Sequence, residues 1–599
     1  MKNCSKNGAR FYLKAFVFLF LFALQAQGRI YIVTDTNDTI KVSSLRGAII
    51  DANRHGGNNT IILFQTGFLD LLGQQAKHGG NQPRVFHLTI SGADEDAART
   101  GDLDITRGNL TIIGVGSNVT IDATGLDDRV FQVMPRSRLA LENLVITGGS
   151  TPAGTNSPVV LGAGGNGEAG GGIFNAGLLA LEHCTISGNF CGMGGEGLAS
   201  VNGYAGSGGG IYNLGVAVLD DCIVSENSSG DGAVVSGNGG DGGGLYNAGT
   251  MTLNSCVVIN NSTGTGGYST GTNGLGGNGG GIYNIGNLML NFCTISSNLC
   301  GAGGMGAVFV GGFSPDGGPL VRPGGAGGMG GGIFNGSGLS LNACIISSNS
   351  GGGGGDGGDG YGYSEGDNGG AGGDGGGIFN LGVLSVNTCT ISDNDCGFGG
   401  NGGEGFLGPG GGGDGGSGGG IYNAGSLNLI SSTIVLNETG MGGSGMISGQ
   451  IGTGGGIFND TNNTVIVLRN TLIAQNNVFI AHFPFPPLII PEVAGDFISK
   501  GYNLIGVAYG STGFINGVNA DQVGSIGSPI DPLIGPLQMN GGPTPTHALL
   551  SGSPAIDQGN SFGVHTDQRG HHRPYNYTAI PNAPGGDGSD IGAFEMGAH

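Results

Sequence analysis

Apolar residues in this chain recur in short bursts of period two, not in long helical stripes. In residues 279–298 (GGGIYNIGNLMLNFCTISSN) the bursts are Ile282, then Leu288 with Leu290, then Cys293 with Ile295. A period of two buries one face of a strand, and bursts this short, broken by Asn and Gly, require a turn between them. The stretch is one of a series. Gly-Gly-Gly followed by an aliphatic residue, an aromatic residue and Asn starts at Gly170, Gly208, Gly242, Gly279, Gly330, Gly375, Gly418 and Gly454. Three strands per repeat, repeat upon repeat, predict a triangular prism: an all-β, right-handed parallel β-helix, which is a solenoid.

Constant offsets within the repeats then become stacks. One Asn series runs from Asn175 through Asn213, Asn247, Asn284, Asn335, Asn380 and Asn423 to Asn459. A second runs from Asn189 through Asn227, Asn261, Asn298, Asn349, Asn394 and Asn437 to Asn476. Asn tolerates left-handed backbone at a corner, and at a rung spacing of ~4.8 Å its amide can bond to the coils above and below. Both series are therefore expected to be structural. The aromatic series from Phe174 to Phe458 is expected to stack ring on ring rather than to form a sugar platform. Cys184, Cys222, Cys256, Cys293, Cys344 and Cys389 share an inward register. Neighbouring rungs are close enough for disulfides, but buried free thiols acting as small hydrophobes are the favoured reading.

Composition sharpens this picture. Of 599 residues 138 are Gly and 21 are Pro, while 38% are hydrophobic and 10% are charged. Disorder requires low hydrophobicity and high charge, and collagen requires Gly at every third position with abundant Pro; no such period is expected here. The glycines instead divide between the triplets and Gly-rich insertions such as 351–374. All insertions leave the prism at one corner, which predicts a mobile Gly/Asp-rich loop fringe along one edge. Residues Gly369 to Asp374 match the first half of a calcium-binding nonapeptide, but Gly376 stands where an aliphatic residue belongs. No cofactor is expected, with calcium at these loops as the one cation to consider.

Lys2, Lys6, Arg10 and Lys14 precede the apolar run Ala15 to Leu24, with small residues Ala26 and Gly28 after it. This is the pattern of a secretory leader over residues 1–28. Its removal takes the formal net charge from −22 to −26, which repels nucleic acid and anionic lipid. The expected protein is an exported, monomeric rod without a spanning helix, secreted or held at a cell surface. Its partner would be a surface glycan or protein.

Both ends carry resemblances. Ser43-Ser44-Leu45-Arg46-Gly47-Ala48-Ile49-Ile50-Asp51-Ala52-Asn53 resembles the CSLREA-type N-terminal motif of bacterial secreted β-helix proteins, with Ser43 and Gly47 replacing its Cys and Glu. Leu45, Ala48, Ile49 and Ala52 lie at helical spacing, so a short capping helix is expected to plug the open end of the prism. Toward the other end, Gly501-Tyr502-Asn503-Leu504-Ile505-Gly506, Ser553-Pro554-Ala555-Ile556-Asp557, Thr566-Asp567-Gln568-Arg569-Gly570 and Asp590-Ile591-Gly592-Ala593-Phe594-Glu595 are similar to the choice-of-anchor Q domain. The repeats alone resemble, more loosely, those of chlamydial polymorphic outer membrane proteins. The implied division is a leader at 1–28, a cap with first coils at 29–150, Gly-rich repeats at 151–480 and an anchor-Q-like domain at 481–599.

Parallel β-helices often act on polysaccharides. Lyases of this fold use Lys or Arg, yet Arg322 is the only Lys or Arg between Leu139 and Leu468. Hydrolases need two carboxylates on one face, and Asp220, Asp221 and Glu226 are the best such cluster. His565, Asp567, Arg569, His571, His572 and Glu595 form the densest polar group; because they belong to the terminal motif, structural hydrogen bonding is expected of them, with Asp567 paired to Arg569. No residue is put forward as catalytic, cofactor-binding or metal-ligating. The expected function is a non-enzymatic, adhesin-like or scaffold role, with a polysaccharide lyase or glycoside hydrolase as the alternative.

Overall fold

The computed structural model describes residues 28–64, 84–92, 95–116, 118–159, 162–197, 202–268, 274–306, 309–313, 319–320, 322–360, 364–460, 465–476 and 491–598. Most of the leader, residues 1–27, lies outside them. Each repeat forms one coil, and the coils stack into three parallel sheets of 13, 12 and 13 strands. The molecule is a right-handed parallel β-helix with one short helix, as the sequence predicts. In the coil that begins at Gly279 the strands are Ile282–Asn284, Asn287–Asn291 and Thr294–Ser296. They belong respectively to what we term the aromatic, wide and third sheets. Register is conserved from coil to coil, with Tyr283 opposite Phe334, Leu290 opposite Leu341 and Ile295 opposite Ile346.

Ile282, Leu288, Leu290, Cys293 and Ile295 point inward and are buried, and every coil adds the equivalent set to one continuous core. The nine described cysteines are buried and unpaired; Cys293 Sγ, for example, donates to the carbonyls of Asn291 at 3.3 Å and Leu253 at 3.4 Å. Aromatic rings from Phe174 to Tyr422 stack outside the prism with centroids 4.4–5.4 Å apart and planes within 21°. Ring faces are consumed by one another, which removes the platform a sugar would need.

The corners correct one expectation. The ladder asparagines are not the left-handed residues; those precede the inward side chains, as with Phe292 (φ 55°) before Cys293 and Ser297 (φ 55°) before Asn298. A left-handed residue reverses the chain direction and presents its own side chain outward, so this position accepts residues as different as His183, Phe292 and Leu436. Asn is kept at the next position for its amide. Asn298 Nδ2 donates to Asn349 Oδ1 at 2.9 Å and to the Val258 carbonyl at 3.0 Å, while its backbone N–H donates to the same Asn349 Oδ1 at 3.1 Å.

The helix Leu45–His55, N-capped by Ser44, closes the first coils with Leu45, Ala48, Ile49 and Ala52 buried, as its spacing predicts. Arg46 goes further. Fully buried, it pairs with Asp38 at 2.7 Å and donates to the carbonyls of Ala98, Gly101 and Asp102 at 3.1, 2.7 and 3.1 Å. At the other end the third sheet runs on past residue 481 to Gln522–Val523. The chain then folds back over the outer face of that sheet. Thr390 Oγ1 donates to Gln568 Oε1 at 2.6 Å, Ser392 Oγ lies 2.9 Å from His547 Nε2, and Ala593 N donates to Thr433 Oγ1 at 2.9 Å. Strands Thr390–Ser392, Thr433–Val435 and Leu472–Ala474 are consequently buried on both faces, whereas Thr185–Ser187 and Thr294–Ser296 are buried on one. Among the described residues no helix is long and apolar enough to cross a membrane.

Candidate functional site

The Gly-rich insertions are built, not loose. Each leaves the third sheet on an outgoing arm and comes back on a returning arm; in the insertion before Gly375, residues 351–360 go out and 364–374 return. Outgoing arms bond to outgoing arms, with Gly354 N donating to Phe398 O at 2.8 Å and Gly357 N to Asn401 O at 2.7 Å. Returning arms bond alike, Gly369 N to Gly411 O at 2.9 Å and Gly372 N to Asp414 O at 2.8 Å. A third set joins the two layers: Gly355 N to Gly325 O, Gly370 N to Gly355 O and Gly400 N to Gly370 O, each at 2.8 Å. These donors recur every three residues along an arm, and the bonds run between arms, the signature of polyproline-II-type backbone. The expectation of a mobile fringe without a period of three is overturned. The period is local to each arm and is interrupted wherever an arm reverses or a strand intervenes.

Two positions in three admit no side chain. A Cβ at Gly355 would sit 2.2 Å from the Gly304 carbonyl, and one at Gly354 would sit 2.0 Å from that of Gly370, whereas one at Gly353 meets nothing nearer than 3.8 Å. The third position faces solvent and carries the variable residue. Its own N–H points away from the array and is met by the side chain one coil earlier. Asp231 Oδ1 accepts from Thr265 N at 2.8 Å, Asp356 Oδ1 from Asn401 N at 2.7 Å, and Asp374 Oδ1 from Ser417 N at 2.6 Å. This explains why Asp and Asn populate the insertions. It also assigns Asp374, in the calcium-like stretch, to capping a backbone donor. The carboxylates stand in file, and among the described residues no three His, Cys, Asp or Glu form a group that could hold a metal ion.

Where the returning arms of the first repeats approach the aromatic ladder they leave a groove with a volume of about 460 Å³. One wall carries Asn166, Tyr204, Asn238, Leu275 and Asn278; Tyr212 and Tyr246 of the ladder form the other, and Asp241 also lines the space. Burial pushes the Asp241 carboxyl up to about 6, against donation from Asn278 N at 2.8 Å and Nδ2 at 3.0 Å. Burial likewise raises Tyr246 above the usual phenol range. Asn166, Tyr204, Asn238 and Leu275 each stand four residues before a Gly triplet, a shared offset that sequence reading did not use.

The candidate carboxylates do not converge. Asp220 accepts from Asn254 Nδ2 at 2.6 Å and heads an outer amide ladder in which Asn291, Asn342 and Asn387 each donate to the Asn one coil earlier, at 2.8, 2.9 and 3.0 Å. Asp221 is exposed, 3.7 Å from His183 Nε2, and Glu226 stands at the next corner, across the strand Ile223–Ser225. In the terminal constellation Asp567 is buried and accepts from Arg569 N and Nε, His571 N and Glu595 N at 2.8–3.1 Å. Arg569 lies over the Phe594 ring at 3.8 Å. Glu595 bonds instead to Arg573 Nε at 2.7 Å, both side chains fully buried; sequence reading overlooked Arg573. His565 and His572 are exposed. Local hydrogen bonding engages Asp567, Arg569 and Glu595. No family model matches the chain, and no curated protein matches it.

Proposed function

We propose that this protein is a secreted or cell-surface rod with a non-enzymatic, adhesin-like or scaffold role, working by presentation of the glycine-built array. The observation that carries this reading is the array itself. An ordered backbone lattice holds variable side chains in files, one per coil, at a rung spacing of ~4.8 Å. Such a surface suits repeated weak contacts along an extended partner, whose combined strength exceeds each one. The leader-like residues 1–28, the CSLREA-like stretch around Arg46 and the similarity of the last hundred residues to the choice-of-anchor Q domain support export and a surface position. Scarcity of Lys and Arg in the repeats and the separation of Asp220 from Glu226 argue against a lyase or hydrolase centre.

Sedimentation of the purified mature chain with intact bacterial cells and with insoluble polysaccharides tests the reading, together with assays for unsaturated products and new reducing ends. Adsorption without product is expected. Turnover abolished by Asp220→Asn would replace the presentation reading with the enzymatic one.

A further inference from the structure

We propose that the groove between the aromatic ladder and the first returning arms binds an uncharged glycan chain lying along the rod. The inference rests on the presentation reading and names its ligand class.

Asn166, Tyr204, Asn238 and Leu275 occupy one outward file on consecutive coils, linked by Tyr204 N donating to Asn166 Oδ1 and Leu275 N to Asn238 Oδ1, both at 2.9 Å. Each amide oxygen is thereby committed to capping the array. What remains for a ligand is the Nδ2 donor, one rung to either side of Tyr204. Tyr204 is 76% exposed and stacks on no ring among the described residues. Unlike the ladder rings, it therefore keeps its faces free. An open ring flanked by amide donors matches the alternating C–H faces and hydroxyl acceptors of a sugar chain. The opposite wall adds the hydroxyls of Tyr212 and Tyr246.

Charge selects within the glycans. No Lys or Arg lines the groove, and Asp241 does. The whole chain is acidic, with a formal net charge of −22. A uronate or sulfated chain would approach without a counter-charge and against that field. The file ends the site as well. Leu275 is followed one coil on by Ala326, whose carbonyl accepts from Gly276 N at 3.0 Å, and then by Ala371. Asp414 and Gln450 follow in the file, so no later coil adds a ring and the one later amide stands beyond two alanines and a carboxylate.

Calorimetric titration of the full mature chain with cellohexaose, xylohexaose and laminarihexaose, and with hexagalacturonate as the acidic counterpart, tests the proposal. At least one neutral hexaose should bind in preference to hexagalacturonate. Tyr204→Ala should weaken that binding at least tenfold. Asn166→Asp with Asn238→Asp should weaken it too, since Asp retains the capping oxygen, as Asp231 does, but loses the donor. Tyr268→Ala, an exposed ring on an outgoing arm, should leave it unchanged. Absence of binding by every neutral hexaose, preference for hexagalacturonate, or full binding by Tyr204→Ala would overturn the inference. If Tyr204→Ala lost hexaose binding yet still sedimented with cells, the groove would stand as one contact among several. Wild type that sediments but binds no neutral hexaose would sink the groove and leave the presentation reading intact.

Discussion

In the prism, what repeats from coil to coil is a side chain: Tyr283 beneath Phe334, Asn284 beneath Asn335, Asn298 bonded to Asn349. In the array what repeats is peptide backbone, with Gly355 held between Gly325 and Gly370. The prism removes several aliphatic side chains per coil from water, each worth about 1.5–3 kcal/mol. The array buries mainly peptide groups, with one small side chain such as Cys191, Thr263 or Cys300 where an arm leaves the prism. Its hydrogen bonds contribute about 1 kcal/mol each, while fixing a residue's backbone costs about 1–2 kcal/mol, most for Gly. The array is therefore not self-supporting. Prism rungs set the spacing of the arms and so remove most of the entropy cost of aligning them. Order in the fringe is a consequence of order in the core, and the dependence runs one way.

Asn298→Ala should expose that dependence with the largest effect. The change deletes the oxygen that accepts from Asn261 N at 3.1 Å and Asn261 Nδ2 at 3.0 Å, both buried. Asn261 Nδ2 keeps the Val224 and Ile259 carbonyls at 3.0 and 3.1 Å, so one backbone donor is stranded, at about 1–3 kcal/mol. The Asn298 Nδ2 bonds to Asn349 Oδ1 and the Val258 carbonyl are lost at about 1 kcal/mol each. Together these predict a loss of about 4 kcal/mol of stability, read by chemical denaturation. Hydrogen exchange should quicken in the adjacent prism strands and in the neighbouring arms together. If the arms kept their protection while the strands lost theirs, the array would be independent and the comparison would fail.

Substitution within the array should be felt locally. Gly355→Ala forces a Cβ to 2.2 Å from the Gly304 carbonyl, an overpacking for which about 1–3 kcal/mol is usual. Amides of residues 351–360 and 364–374 should exchange faster, while strands Ile333–Asn335 and Ile378–Asn380 keep their protection. Gly353→Ala, two residues away with open space around it, should change neither. Equal effects from the two substitutions would refute the assignment of obligatory and free positions.

The same asymmetry explains what the sequence reveals. Prism elements announce themselves through side-chain chemistry, so strands, register, both inner Asn ladders and the plug of Leu45, Ala48, Ile49 and Ala52 are legible from spacing. The outer ladder is legible too, since Asn254, Asn291, Asn342 and Asn387 each follow a first-series Asn by seven residues, but attention to the acidic residues obscures it. Arg46 is hidden because its partners are the Asp38 carboxylate and three carbonyls that only the folded first coils supply. The array is harder still. Its information lies in where side chains are absent, and low complexity of that kind reads as a linker until the arms are set side by side. Tyr204 and Asn238 each stand four residues before a Gly triplet, so their shared file is legible once that offset is counted, whereas the space between the file and the aromatic ladder is not.

Titration should separate the two regions with the smallest effect. Burial pushes Asp241 and Asp374 of the array up to about 6. In the prism, the buried Glu492, whose Oε2 has no hydrogen-bond partner among the described residues, is pushed up to about 8, again by burial. An unfolded carboxylate titrates near ~4. Below that value both states are protonated and these groups are neutral to stability. As pH rises, the unfolded chain releases its protons first, so stability falls until the folded-state value is passed. The array should therefore loosen between about pH 4 and 6, and the last prism coil between about 4 and 8. Hydrogen exchange, corrected for its intrinsic pH dependence, should show arm protection levelling off first. Glu492→Gln keeps the shape of the side chain without a titrating proton, and should abolish the later loss around Leu472–Ala474 while leaving that of the arms unchanged. A common pH profile for both regions would mean that the array's carboxylates report on the prism alone.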